Sequence, residues 1–246
     1  MALPKVTTPT YELVLPSTDK KVKYRPFLVK EEKLLLIAME SENDVNIADS
    51  VKQVIKNCTF NEVDVEKLPV FDLEYVFLQI RAKSVGEIVK IKLLCPDDKK
   101  TYADVDVDLT KIDVQVDDKH TNKILFDDKR KLGMVLRYPS LSLFGPMKFD
   151  EKSNDPKQVF KLIVACIDHI FEGEKVYSSK DSNESELIDF LEQLPQKDFV
   201  KVKDFFDTMP QLKHEVEVEN PKTKVKSKIV LQGLKDFFVS ASPIST

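Results

Sequence analysis

The chain has 246 residues, enough for one large domain or two small ones, and its 42% apolar and 33% charged residues allow both a sizeable core and a well-solvated surface. Its 42 acidic residues outnumber 38 Lys and Arg for a net charge of −4, which argues against a protein built around a basic nucleic-acid-binding face. Three widely spaced cysteines (Cys58, Cys95, Cys166) argue against a disulfide scaffold, and no apolar run approaches the length of a membrane span.

Residues 1–10 are rich in Pro and Thr and read as extended; Met1 to Lys5 lead into no apolar stretch, so no signal peptide is expected. Tyr11, Leu13 and Leu15 alternate with polar positions, Pro16 to Lys20 reads as a turn, and Val22 and Tyr24 return, which predicts a β-hairpin over 11–25. Leu34, Leu35, Ala38 and Met39 then recur at helical spacing. Ile47, Ala48, Val51, Val54, Ile55 and Cys58 form the apolar face of a second helix. A third follows Pro69, with Asp72 as its expected N-cap and Leu73, Val76, Phe77 and Ile80 on its buried side.

Near Glu87 the period changes from 3.6 to 2. Val89, Ile91 and Leu93 enter a turn at Cys95-Pro96-Asp97-Asp98, and Val105 and Val107 return from it. Residues 113–122 read as a polar loop, although Val114 and Val116 could extend the strand, and Leu132, Met134 and Leu136 predict another strand before Tyr138-Pro139. Asp155-Pro156 then starts a helix whose apolar face is expected to run from Val159 to Phe171 and to stop at Glu172-Gly173-Glu174. Ser182 is placed to cap a helix bearing Leu187, Ile188, Phe190, Leu191 and Leu194. Phe199, Val202, Phe205, Phe206 and Met209 mark another, ended by Pro210. From His214 to Leu231 alternation returns around a turn at Asn220-Pro221-Lys222-Thr223, and a short helix with Leu234, Phe237 and Phe238 is expected to close the fold.

The two later hairpins form a repeat. One offset aligns Cys95-Pro96 with Asn220-Pro221, Ile91 with Val216, Leu93 with Val218, Leu109 with Leu234 and Ile112 with Phe237, while the return strands match only with a one-residue slip. Opposed charges support both hairpins: Lys90 and Lys92 against acids of the other arm, and Glu215, Glu217 and Glu219 against Lys224, Lys226 and Lys228. A pair of Cys-Pro-x-Cys hairpins is the pattern of a zinc ribbon, yet the four knuckle positions here are Cys95, Asp98, Asn220 and Thr223, only one of them a thiol. A weak site at Cys95 and Asp98 with His214 is the metal reading; a ribbon-like β unit with no metal is favoured. The expected class is α+β, helical bundles with antiparallel β-hairpins, two of them resembling a metal-free zinc-ribbon-like unit. The expected segments are 1–112, with the first hairpin, the helices and the first ribbon-like hairpin; 113–154, connecting strands and loops; and 155–246, helical, with a second ribbon-like hairpin packed on the first.

Catalytic candidates are few. Cys166 and His169 are three apart in an expected helix, so their side chains could meet, but no third group is visible to orient the base. His120 reads as solvated in its loop. Asp104, Asp106 and Asp108 could attract a cation or a basic partner, but read better as a solvated face paired with lysines. Glu184 and Glu186 suit a helix's first turn. Phe199, Phe205 and Phe206 read mostly as core, with the segment through Asp207-Thr208-Met209-Pro210 the first candidate for a contact region. No catalytic, cofactor-binding or metal-binding residue is assigned.

Residues 24–33 (Tyr-Arg-Pro-Phe-Leu-Val-Lys-Glu-Glu-Lys) resemble the opening motif of the baseplate hub proteins of T-even-type contractile-tailed phages. Residues 77–87 (Phe-Leu-Gln-Ile-Arg-Ala-Lys-Ser-Val-Gly-Glu) and 205–210 (Phe-Phe-Asp-Thr-Met-Pro) resemble the same family, and the likeness spans about residues 3 to 239. The resemblance implies a non-enzymatic protein made in the host cytoplasm and needed to build the central hub of the baseplate, either as a virion component or as an assembly factor. Its implied partners are other baseplate or hub proteins; from the sequence itself no membrane partner and no cofactor are expected, and the charge balance argues against nucleic acid. The competing reading is a zinc-ribbon-derived regulatory or nucleic-acid-binding protein, motivated by Cys95-Pro96 and the repeat.

Overall fold

A computed structural model describes residues 7–41, 43–140, 143, 156–233 and 236. The chain is α+β, and it divides into two compact units: residues 1–115 with 211–246, and residues 116–210.

In the first unit, β1 (Tyr11–Val14) and β2 (Lys21–Tyr24) form the expected hairpin and bury Leu13, Val22 and Tyr24. Helices α1 (Val29–Glu40), α2 (Asp44–Cys58) and α3 (Val70–Val85) follow. The N-cap of α3 is Pro69, not Asp72. Asp72 lies inside the first turn, fully buried, where its carboxylate accepts from the backbone N–H of Ser17 at 3.1 Å and from the Ser17 hydroxyl. A tertiary partner in the β1–β2 turn has taken a side chain whose local option was to cap its own helix.

Strands β3 (Ile88–Leu94) and β4 (Tyr102–Asp108) pair antiparallel, with Lys90 opposite Asp106 and Lys92 opposite Asp104. A 3-10 turn over Leu109–Lys111 then separates β4 from β5 (Asp113–Gln115). That short strand does not extend β4. It pairs instead with β10 (Gln211–Glu219), which also pairs with β11 (Lys226–Gln232), giving the order β11-β10-β5. Both repeat hairpins point their apolar faces into one core, where Val89, Ile91 and Val107 of the first join Val216, Val218 and Leu231 of the second beneath Leu78 and Ala82 of α3. Ion pairs Lys228–Glu215 (2.6 Å), Lys226–Glu217 (2.7 Å) and Lys224–Glu219 (3.8 Å) line the outer face of the second hairpin as its alternation requires. The expected helix at Leu234, Phe237 and Phe238 falls on residues outside those described.

The second unit is a four-stranded antiparallel sheet in the order β6 (Lys123–Asp127), β7 (Leu132–Leu136), β8 (Ile167–Glu172), β9 (Lys175–Ser178). Helices α4 (Pro156–Cys166), α5 (Glu184–Glu192) and α6 (Gln196–Thr208) contribute to the same core, where Ile163, Leu187, Leu191, Val202 and Phe205 meet Ile124, Met134 and Ile170 of the sheet. The helix expected to run to Phe171 ends at Cys166, and the next six residues are strand β8. Its apolar residues fit both periods, and tertiary pairing decides: Leu136 lies opposite Ile167, the Arg137 N–H donates to Cys166 O at 2.8 Å, and the Arg137 guanidinium donates to Ala165 O at 3.0 and 3.1 Å, covering the helix's C-terminal carbonyls. Gly173 (φ 61) does not stop a helix. It is the first of two loop residues joining β8 to β9, the position where a type II′ hairpin takes glycine. Asn183, not Ser182, caps α5: its side chain accepts from Glu186 N while Glu186 accepts from Asn183 N, both at 2.9 Å.

Candidate functional site

A zinc ribbon would hold its metal at the two knuckle turns. Their backbones match at the offset of 125 that relates Cys95 to Asn220: Lys99 N–H donates to Cys95 O at 3.0 Å, Lys224 N–H donates to Asn220 O at 2.9 Å, and both lysines have positive φ, 52° and 62°. The one-residue slip is also present, because Cys95 N–H closes its turn on Thr101 O whereas Asn220 N–H closes on Val225 O. The tips meet. Asp97 accepts from Asn220 Nδ2 at 2.9 and 3.1 Å and from Thr223 Oγ1 at 2.5 Å. Asp98 turns back on its own loop and accepts from Lys100 N, Thr101 N and Thr101 Oγ1. The Thr101 hydroxyl and the two amides hold its carboxyl far below the usual range. The buried Cys95 thiol is pushed up by desolvation and then by the Asp97 and Asp98 charges, which disfavours the thiolate a metal needs. Among the described residues no group of three or more His, Cys, Asp or Glu is arranged to hold a metal ion. A carboxylate–amide–hydroxyl clamp therefore joins the two turns where a ribbon would place its metal.

Cys166 and His169 do not share a helix. Cys166 ends α4, is fully buried, and has its thiol pushed up to about 12 by desolvation. His169 lies in β8 with Nδ1 at 2.8 Å from the carboxylate of its neighbour Asp168. His120 is not simply solvated. Its Nδ1 lies 2.9 Å from Thr208 Oγ1, its Nε2 lies 3.0 Å from the Tyr138 hydroxyl, and its ring packs 5.2 Å from that of Phe205. The Thr208 hydroxyl already donates to Asp204 O at 2.6 Å, so it accepts from His120 Nδ1–H, and Nε2 accepts from Tyr138. Burial lowers the His120 pKa, consistent with this neutral tautomer.

The remaining candidates are also taken up by the fold. Asp104 and Asp106 stand opposite lysines in the β3–β4 ladder, and Asp108 accepts from Thr110 N at 3.0 Å to cap the 3-10 turn. Phe205 is buried, Phe206 meets it edge-on at 5.0 Å, and Phe199 stacks on Phe160 at 5.3 Å, so these rings build the core of the second unit. Residues 24–33 and 77–87 interlock in the first unit. The nearly fully buried Glu31 accepts from Arg25 at 3.1 Å and from Leu28 N at 2.8 Å, and the Phe27 N–H donates to Ser84 Oγ at 2.9 Å. Burial alone would raise the Glu31 pKa; the bonds from Arg25 and Leu28 bring it below its usual value.

One feature had no signal in the sequence. A cleft of about 670 Å³ opens in the second unit between the β7–β8 strand ends and the α5–α6 junction, with Leu132, Ile170, Tyr177, Phe190 and Leu194 among its walls. That volume is within the range of small-molecule pockets. Its walls come from residues as far apart as Phe126 and Asp198, 72 positions, which periodicity does not bring together.

These features define an α+β protein in which Cys95, Asp97, Asp98, His120 and Cys166 are each buried or bonded within the fold. Over residues 8–239 the chain matches the family model described as T4 bacteriophage base plate protein, and it belongs to that family. No curated protein matches the chain, and no solved structure does.

Proposed function

We propose that this baseplate-family protein serves the central hub of the baseplate as a structural or assembly component, acts through contacts with other baseplate proteins, and performs no catalysis. The observation that carries the reading is the use of the chemically capable groups: Cys95, Asp97, Asp98, His120 and Cys166 are each buried or bonded in structural locks. A nucleophile with a thiol pushed up to about 12 is inert near neutral pH, and a neutral imidazole held at both nitrogens has no free position for a substrate proton. The protein is made in the host cytoplasm, and its partners are other baseplate or hub proteins.

A pull-down of the tagged full chain from infected cells, with a blot of purified virions, tests this. Hub proteins in the pull-down and the chain in virions make it a resident component; hub proteins with no chain in virions make it an assembly factor. Recovery of no tail protein overturns the reading.

A further inference from the structure

The two edges of the second unit's sheet are unlike. At β6, the Leu125 carbonyl accepts from Lys201 Nζ of α6 at 2.8 Å, so a helix side chain occupies that edge. At β9, no strand among the described residues pairs with the outer side. Glu172 and Lys175 flank the two-residue loop and close the ladder, so alternation turns the N–H and C=O of Val176 away from β8. Val176 is 64% exposed and Tyr177 47%, an apolar pair on a bare edge that carries one lysine, Lys175. Native sheets protect such edges or use them.

The cleft adjoins this edge, because Tyr177 of β9 and its cross-strand partner Ile170 both line it. Half of its lining is apolar, and the charged residues in the other half lean acidic. Asp127, Glu172, Glu186 and Asp198 face Arg130 and Lys197; Asp198 is also paired with Lys201 at 2.8 Å and Arg130 with Glu172 at 2.6 and 3.0 Å, which leaves an excess of one acid. An occupant with apolar side chains and a cation satisfies both features.

We infer that β9 and the cleft form a docking site for an extended segment of a partner protein, added as a fifth strand beside β9. Apolar side chains of that segment enter the cleft and a Lys or Arg meets the acids at its mouth. Strand addition supplies main-chain hydrogen bonds, and the pocket beside it selects alternate side chains. The inference rests on the reading of the chain as one that works through contacts, and it names where one of those contacts lies.

Selection of a ribosome-displayed library of random dodecapeptides on the purified full chain tests it, because that library owes nothing to phage sequences. The expected winners alternate apolar residues with Lys or Arg. Their affinity should fall about tenfold or more in Val176→Pro, which removes an outward N–H without touching the ladder, and in Gln193→Arg, which adds a cation to the cleft, while both variants keep the parent's unfolding temperature. Acidic winners, winners that bind both variants as tightly as the parent, or no winners at all overturn the docking site. The infected-cell pull-down is scored separately: baseplate proteins recovered with no peptide selected remove this site alone, and peptides selected with no baseplate protein recovered remove the baseplate role alone.

Discussion

Asn220 and Asp97, 123 residues apart, meet at the tips of two hairpins, where the Asn220 amide donates to both Asp97 oxygens at 2.9 and 3.1 Å. The same Asn220 side chain accepts from Lys222 N at 2.8 Å and Thr223 N at 3.2 Å, so one buried residue builds its own turn and holds the other. Asn220→Ala should therefore destabilise the chain by about 1–3 kcal/mol, the range for leaving buried polar partners unmet, read as a lower urea midpoint at unchanged slope. A midpoint equal to the parent's would show that the clamp is ornamental.

Acid should loosen the same clamp. The bonds from Asn220 and then Thr223 hold the Asp97 carboxyl below its ordinary value. A depressed folded pKa stabilises the chain above the unfolded value, near about 3.9, and that stabilisation is lost as pH falls below it. Asp97→Asn should flatten the acid limb of the stability curve below about pH 4 relative to the parent; parallel limbs would remove Asp97 from the account.

Gly133 sits in the middle of the second unit's sheet with no room for a side chain. A Cβ there would lie 2.3 Å from the Ile124 carbonyl oxygen and 2.4 Å from the Phe171 ring, whose face also carries the Lys123 ammonium at 5.1 Å. Gly133→Ala should cost about 1–3 kcal/mol as overpacking. Adding Phe171→Leu should recover part of that cost but not all, because the backbone oxygen does not move aside. Full recovery would mean that the ring is the only obstacle.

The hairpins were legible because their alternation, turn residues and opposed charges all agreed, and the offset between Cys95 and Asn220 carried the repeat down to Lys99 and Lys224. Where reading failed, a distant partner had overruled a local preference. Asp72 is a good N-cap by type, yet it serves Ser17. Ile167 and Ile170 continue a helical stripe, yet they pair with β7. The strand at Asp113–Gln115 exists because Gln211–Lys213 returns to meet it. His120, in a polar stretch, gave no sign that Tyr138 and Thr208 would enclose it. Pairings over such separations leave no mark in a window of neighbouring residues.

The cysteines should be silent in the native chain. All three are buried, and desolvation pushes Cys58 up to about 11 and Cys166 up to about 12. Because the thiolate is the reactive form, an aromatic disulfide reagent at pH 8 should label none of the three quickly and all of them in urea. Rapid labelling of one native thiol would place that residue in an open, activated setting and contradict its burial.

The His120 clasp should respond to pH in the opposite region from Asp97. Unfolded histidine titrates near about 6.5, and burial lowers the folded value, against a smaller opposing pull from Asp117. The unfolded chain then binds a proton that the folded chain resists. The clasp's contribution is fully present above about pH 6.5 and declines as pH falls through the window down to the folded pKa. Protonation also places a hydrogen on Nε2, where the ring now accepts from Tyr138. The His120 ring resonances should therefore titrate with a midpoint below that of a free histidine, and His120→Gln should remove this part of the stability slope just below about pH 6.5 while leaving the acid limb of Asp97 in place. A midpoint at or above about 6.5 would mean that the ring is solvated after all.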